Sequence, residues 1–236
     1  MIKAIIFDFD NTLEEWIPHE DEVEEQFAHM LSEKYSLDKD AFLAVFNAIK
    51  SGYFHSRSLP QDYGRDIWFS ESLAHFNIHN ADIASLVSAY WDALTARIRL
   101  FPDVKPVLEE LRKDFSLGIL SDSDGDRKWK DMRIKKLGIE QYFQVILTSD
   151  EVRVNKPHPR GFLEVCRRLG VSPKEAIMVG DNPVADLSSA KMLGMTTVWT
   201  REGLSERQKN KSFAYIDYSI ESFSEVLSVV KTITQK

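Results

Sequence analysis

Five short apolar runs, at residues 3–8, 116–121, 144–148, 176–180 and 196–200, predict the strands of a doubly wound parallel α/β sheet. From residue 101 onward these runs alternate with helical patterns at 104–113, 127–137, 160–169 and 183–193, the βαβ rhythm of a parallel sheet. Residues 15–100 break that rhythm, with four helical stretches near 20–35, 38–51, 62–77 and 80–99 and no convincing strand. The expected organisation is an α/β core of residues 1–14 and 101–236, with an all-helical domain of residues 15–100 inserted after the first strand.

The first strand carries the most information. Ala4-Ile5-Ile6-Phe7 runs directly into Asp8-Phe9-Asp10-Asn11-Thr12. Residues two apart on a strand point the same way, so Asp8 and the start of the turn at Asp10 crowd two carboxyl groups together. Crowded acids favour a bound divalent cation or a shared proton. Asp10-Asn11 also has the composition of an ordinary Asx turn, so the rest of the chain has to separate the two possibilities.

The inserted segment is bounded by Pro18 on one side and by Pro102 and Pro106 on the other, where the restricted backbone suits hinges. Its acidic run Glu20 to Glu25 fits a solvated helix start. Trp68, Phe69, Phe76, Tyr90 and Trp91 fit a helical core better than a base-stacking platform. His75 and His79 share a helical spacing but lack the His-Glu-x-x-His context of a zinc site.

Beyond the insertion, chemistry-bearing groups recur at the ends of the expected strands. They are Ser121, then Lys156 just beyond the third strand, then Gly180-Asp181 with Asp186. In an open α/β sheet the carboxyl ends of the strands form one crevice, so these groups should meet Asp8 and Asp10 there. A carboxylate attacks phosphorus only when the phosphate charge is offset by a metal, a lysine and hydroxyl or backbone donors. The set therefore suits phosphoryl transfer.

Composition narrows the classes. With 236 residues and 43% hydrophobic content the chain can bury a sizeable core, and its net charge of -7 argues against a general attraction to nucleic acid or anionic membranes. No apolar run approaches the roughly 20 residues of a membrane span, and the N-terminus reads as a strand rather than a signal peptide. A cytoplasmic protein is expected. The single cysteine, Cys166, shares a helical face with Phe162 and Leu169, which points to core packing.

Four segments together resemble the haloacid dehalogenase superfamily, in its phosphatase branch with a helical cap of the C1 type inserted after the first motif. They are Asp8-Phe9-Asp10-Asn11-Thr12, Ile119-Leu120-Ser121, Asn155-Lys156-Pro157 and Val179-Gly180-Asp181-Asn182-Pro183-Val184-Ala185-Asp186, in that order. The resemblance implies a Rossmann-like core and Mg²⁺-dependent hydrolysis of a small phosphomonoester. Asp8 would be the nucleophile that forms an aspartyl-phosphate, and Asp10 the general acid and then base. It further implies that Asp8, the Asp10 backbone carbonyl and Asp181 hold Mg²⁺, with Asp186 supporting them or orienting Lys156. Thr12, Ser121, Asp122 and Lys156 would form the phosphate site, Thr12 also ordering the turn after Asp10. Phosphomutase and dehalogenase activities of the same superfamily are alternatives, as is a non-enzymatic phospho-aspartate module.

The chain departs from the family pattern in three places. Asp122-Ser123-Asp124-Gly125-Asp126 stands where Asn-Gly often follows the second motif, so these acids must turn outward, be neutralised or bind a cation. His158 follows Lys156-Pro157 where an acid is frequent, and Ser189 stands where glycine is frequent. Substrate choice is expected to come from the helical insertion closing over the crevice, with His55, Arg57 and Arg65 as candidate specificity residues. Oligomeric state is not legible from the sequence.

Overall fold

The computed structural model describes residues 1–56, 59–204 and 212–235, with side chains at all of these except 55 and 56. The chain divides into two units. One comprises Met1–Glu15, Arg99–Asp122 and Leu137–Lys236; the other comprises Trp16–Ile98 and Ser123–Lys136.

The first unit is built on a parallel sheet of β1 (Ala4–Phe7), β2 (Ser116–Ser121), β3 (Val145–Thr148), β4 (Ala176–Gly180), β5 (Thr196–Thr200) and β6 (Tyr218–Ile220). The strand order is β3-β2-β1-β4-β5-β6, so the order reverses direction around β1. β1 lies in the middle, paired in register with β2 from Ala4 opposite Ser116 and with β4 from Ala4 opposite Ala176. All four of its residues are fully buried, which explains why it reads as a continuous apolar run rather than an alternation.

Helices cover both faces. Ala4 and Ile6 join Phe162, Val165 and Cys166 of helix Pro159–Leu169 and Ala190 of helix Ser188–Met192 in one core cluster. Phe7 instead meets Phe143 and Phe223, with ring centroids 6.3 and 5.7 Å away. A Cβ at Gly118 of β2 would stand 3.1 Å from Leu169 and 3.3 Å from Val165, so glycine lets that helix approach the sheet. Cys166 is a free, buried thiol, and burial pushes its pKa up to about 11, consistent with packing rather than nucleophilic chemistry.

Three details differ from expectation. Strand β6 is only three residues long, and the amphipathic helix Val226–Thr234 follows it; neither carried enough periodicity to be read in advance. The expected helix at 183–193 is split into a π-helical turn, Pro183–Leu187, and a short α-helix, Ser188–Met192.

The second unit holds α1 (Ile17–Tyr35), α2 (Lys39–Ser56), α3 (Arg65–His75), α4 (Ile83–Arg97) and nearly all of α6 (Arg127–Leu137), α5 being Val104–Leu111 of the first unit. Phe27, Phe46, Phe69, Trp68, Tyr90 and Trp91 are buried together, with centroid separations of 5.1 to 6.2 Å among neighbouring rings. Residues 123–136 were expected in the α/β core; instead Ser123–Lys136 groups with the helical unit. The cause is chemical. Trp129 stacks on Trp91 at 5.7 Å, and Asp124 accepts a 2.6 Å ion pair from Arg133 and a 3.2 Å ion pair from Lys130, all three charged groups being buried.

Among the described residues no helix is long and apolar enough to cross a membrane.

Candidate active site at the carboxyl ends of β1, β2 and β4

The turn after β1 presents both acids. Asp8 closes the strand through its backbone N–H, which donates to Val179 O of β4 at 2.9 Å. Phe9 is fully buried and its carbonyl accepts from Leu13 N at 2.9 Å, while Asn11 takes a left-handed φ of 57°. Asn tolerates that conformation better than most residues, so it suits the tight reversal. Asp10, half-buried beside this turn, lies near enough for its charge to raise the Asp8 pKa.

Lys156 gathers the acids. Its ammonium donates to Asp8 Oδ1 at 2.5 Å and to Asp186 Oδ1 at 2.7 Å, with lysine and both acids at least nine-tenths buried. Burial alone would pull the lysine pKa down, but Asp186, Asp8 and Asp122 outweigh it and hold it well above the ordinary value. Asp186 spends its second oxygen on Asn182 N at 3.0 Å, which fixes the turn after β4. A Cβ at Gly180 would fall 2.4 Å from Asp186 Oδ2, so the glycine before Asp181 is what lets Asp186 lie against the strand end.

Asp8, Asp181 and Asp186 bring carboxylate oxygens within 4.8 Å of one another. Burial, and then the neighbouring acids, push the Asp181 pKa well above its usual value. Burial likewise lifts Asp8 to about 7, with Lys156 opposing and Asp186 and Asp10 adding to the rise. One lysine therefore does not balance this set. Among the described residues the Asp181 carboxylate accepts no hydrogen bond. An all-oxygen, charge-deficient cluster with one uncommitted carboxylate fits a hard divalent cation.

The expected site residues take several roles. Ser121 ends β2 with its side chain fully buried, its hydroxyl donating to Asp122 O at 3.3 Å. The Asp122 carboxylate accepts Lys156 N at 2.8 Å and thereby fixes the lysine loop. The fully buried Thr12 hydroxyl accepts Asp181 N at 3.1 Å and ties the first turn to the fourth motif. The three acids after Ser121 each find an outlet. Asp122 holds the Lys156 loop, Asp124 is neutralised by Lys130 and Arg133, and exposed Asp126 accepts Lys128 N at 2.9 Å.

Arg65 is corrected more strongly. Its guanidinium is buried in the helical unit, donating to Glu20 Oε1 at 2.5 Å and to Tyr63 O at 2.9 Å, and lies 4.3 Å from the Trp68 ring centroid. It is a packing and ion-pair residue there. The side chain of His55, within α2, and the whole of Arg57 lie outside the described residues.

Two contacts went unread in the sequence. Ser189 donates to Pro157 O, joining the short α-helix to the lysine loop. Trp199, at the end of β5, donates from Nε1 to Asp181 O at 2.9 Å. A buried tryptophan needs a partner for its indole N–H, and that need was the available signal.

Residues 5–200 match the family model of haloacid dehalogenase-like hydrolases. The chain is 30% identical over 246 residues to a glyceraldehyde 3-phosphate phosphatase of Methanopyrus kandleri, covering 100% of both chains. It is 27% identical over 241 residues to a protein of the same name from Pyrococcus furiosus, covering 98% of this chain and 93% of the relative. A crystal structure of a phosphatase of this superfamily from Thermococcus onnurineus superposes with a TM-score of 0.75 at 29% identity, covering 97% of this chain and 98% of the other. The chain belongs to the haloacid dehalogenase-like hydrolases, in their phosphatase branch.

Proposed function

We propose that the enzyme hydrolyses a small phosphomonoester through an aspartyl-phosphate on Asp8, with Mg²⁺ as cofactor. The observation that carries this is the gathering of Asp8, Asp181 and Asp186 at the strand ends, with the Lys156 ammonium bonded to Asp8 and Asp186. Lys156 fixes Oδ1 of Asp8, leaving Oδ2 as the attacking atom. As the bond from Asp8 to phosphorus forms, the bond from phosphorus to the ester oxygen breaks, and Asp10 delivers its proton to the departing alcohol. Asp10 then takes a proton from water, which attacks phosphorus and releases phosphate and free Asp8. The Ser121 hydroxyl and the Lys156 ammonium serve the phosphate oxygens, while Asp122 and Thr12 act by holding backbone.

Asp8, the Asp10 backbone carbonyl and Asp181 would hold Mg²⁺, with Asp186 committed to Lys156 and Asn182. When bound, Mg²⁺ supplies the positive charge that keeps the acids ionised and offsets the phosphate. The substrate is proposed as a short phosphorylated metabolite, with glyceraldehyde 3-phosphate the first to try because relatives across the whole chain carry that activity in their names. A cytoplasmic site of action belongs to the same proposal.

Phosphate release from a panel of small phosphomonoesters, with and without Mg²⁺, tests this directly. Metal-dependent turnover lost in both Asp8→Asn and Asp10→Asn is expected. Release no greater than that of the variants from every ester would overturn it.

A further inference from the structure

We infer that Trp199 is a positioning residue for Asp181, acting on metal binding through a single indole hydrogen bond. The inference rests on the proposed Mg²⁺ site. Asp181 is the acid whose carboxylate accepts no hydrogen bond among the described residues, so nothing at its side-chain end fixes its direction. Its backbone is clamped at both ends instead. Asp181 N donates to Thr12 Oγ1 at 3.1 Å, and Asp181 O accepts from Trp199 Nε1 at 2.9 Å.

The two clamps come from different elements, the turn after β1 and the end of β5, and both side chains, the accepting Thr12 and the donating Trp199, are buried. Together they fix the two peptide planes flanking the Asp181 Cα, and hence the direction in which its Cβ leaves the chain. The indole has a second effect. The Asp181 carbonyl is a polar group in a part-buried place, and the indole N–H gives it the partner it needs there. The ring itself is held by packing: it lies edge-on to Phe213 at 5.9 Å and beneath Arg201 at 5.5 Å. The register places Trp199 opposite Gly180, the residue before Asp181, so the bond spans adjacent strands.

Ring packing and the N–H bond are separable by substitution. Trp199→Phe removes the donor and part of the ring, whereas site-specific replacement of Trp199 by β-(3-benzothienyl)alanine keeps the bicyclic shape and exchanges N–H for sulfur. Mg²⁺ affinity measured by titration calorimetry should fall about tenfold in both, the size typical of groups that orient a metal ligand. Metal-free melting of the isostere should stay near that of the parent, and kcat at saturating Mg²⁺ should recover. Unchanged Mg²⁺ affinity in the isostere would overturn the inference, and would assign Trp199 to packing even if Trp199→Phe melts early. A parent protein that hydrolyses esters yet binds no Mg²⁺ would overturn the metal proposal and this inference with it, whereas loss confined to the two variants concerns Trp199 alone.

Discussion

Each unit buries a cluster of ionised side chains, and the two clusters are balanced differently. In the helical unit, Glu20 and Glu24 of α1 face Lys50 of α2 and Arg65 of α3. Arg65 meets Glu20 at 2.5 Å, and Lys50 meets the two oxygens of Glu24 at 2.6 and 2.7 Å, so two acids face two bases. In the α/β unit, Asp8 and Asp186 share the Lys156 ammonium, Asp181 stands beside them without an ion pair, and Asp10 adds its charge to theirs. A balanced cluster is what ties helices together; an unbalanced one makes sense where a cation or a phosphate arrives during function. Proteins keep such strained charge at functional sites at a cost in stability.

The largest expected effect is on turnover. Asp8→Asn leaves the shape of the site intact and removes the carboxylate proposed as nucleophile, so phosphate release should fall by roughly a thousandfold or more, as for other nucleophile deletions. A residual rate within tenfold of the parent would break the assignment of Asp8.

Stability then separates the clusters by sign. Arg65→Met takes from buried Glu20 its 2.5 Å ion pair, leaving only Trp16 Nε1 at 3.1 Å and Lys50 at 3.8 Å, and should destabilise the protein by about 3 kcal/mol in denaturant unfolding. Asp181→Asn relieves repulsion and should stabilise the metal-free protein by about 1 kcal/mol in the same assay. Equal destabilisation by both would mean that the two clusters are equivalent.

The smallest effect is a pH dependence in the helical unit. Burial, then Glu20, lift the Glu24 pKa from 4.5 to about 7 against the pull of Lys50 and Arg65, so pairing does not fully offset desolvation. The folded protein thus holds this proton more tightly than the unfolded chain, and the contribution to stability falls as pH rises from 4.5 to about 7. Glu24→Gln should flatten that part of the stability profile, and a parallel profile would contradict it.

These contrasts also mark what the sequence could disclose. Strand ends, and the acids, serine and lysine upon them, were legible because a buried apolar run stopping at a polar residue is a local signal. Asp122 and Thr12 were expected at the site, but their bonds to Lys156 N and Asp181 N were not legible, since the sequence cannot distinguish a side chain that faces a ligand from one that holds a neighbouring loop. Arg65 was misread for a related reason: a guanidinium near aromatics suits a binding surface as well as it suits a core, and only burial against Glu20 and Trp68 distinguishes them. The grouping of Ser123–Lys136 with the helices depends on Trp129 finding Trp91 and on Asp124 finding Arg133. The first of those pairings is a contact across 38 residues of chain, which no periodicity reveals.

The imbalance of the carboxylate cluster is tested most directly by thermal unfolding of the parent and Asp181→Asn, each in chelator and in excess Mg²⁺. The expected result is a crossing: the variant melts higher than the parent in chelator, and Mg²⁺ raises the parent alone, because only the native state of the parent binds the ion tightly. A variant that melts lower in chelator, or an equal Mg²⁺ shift in both proteins, would contradict a cation-deficient site completed through Asp181.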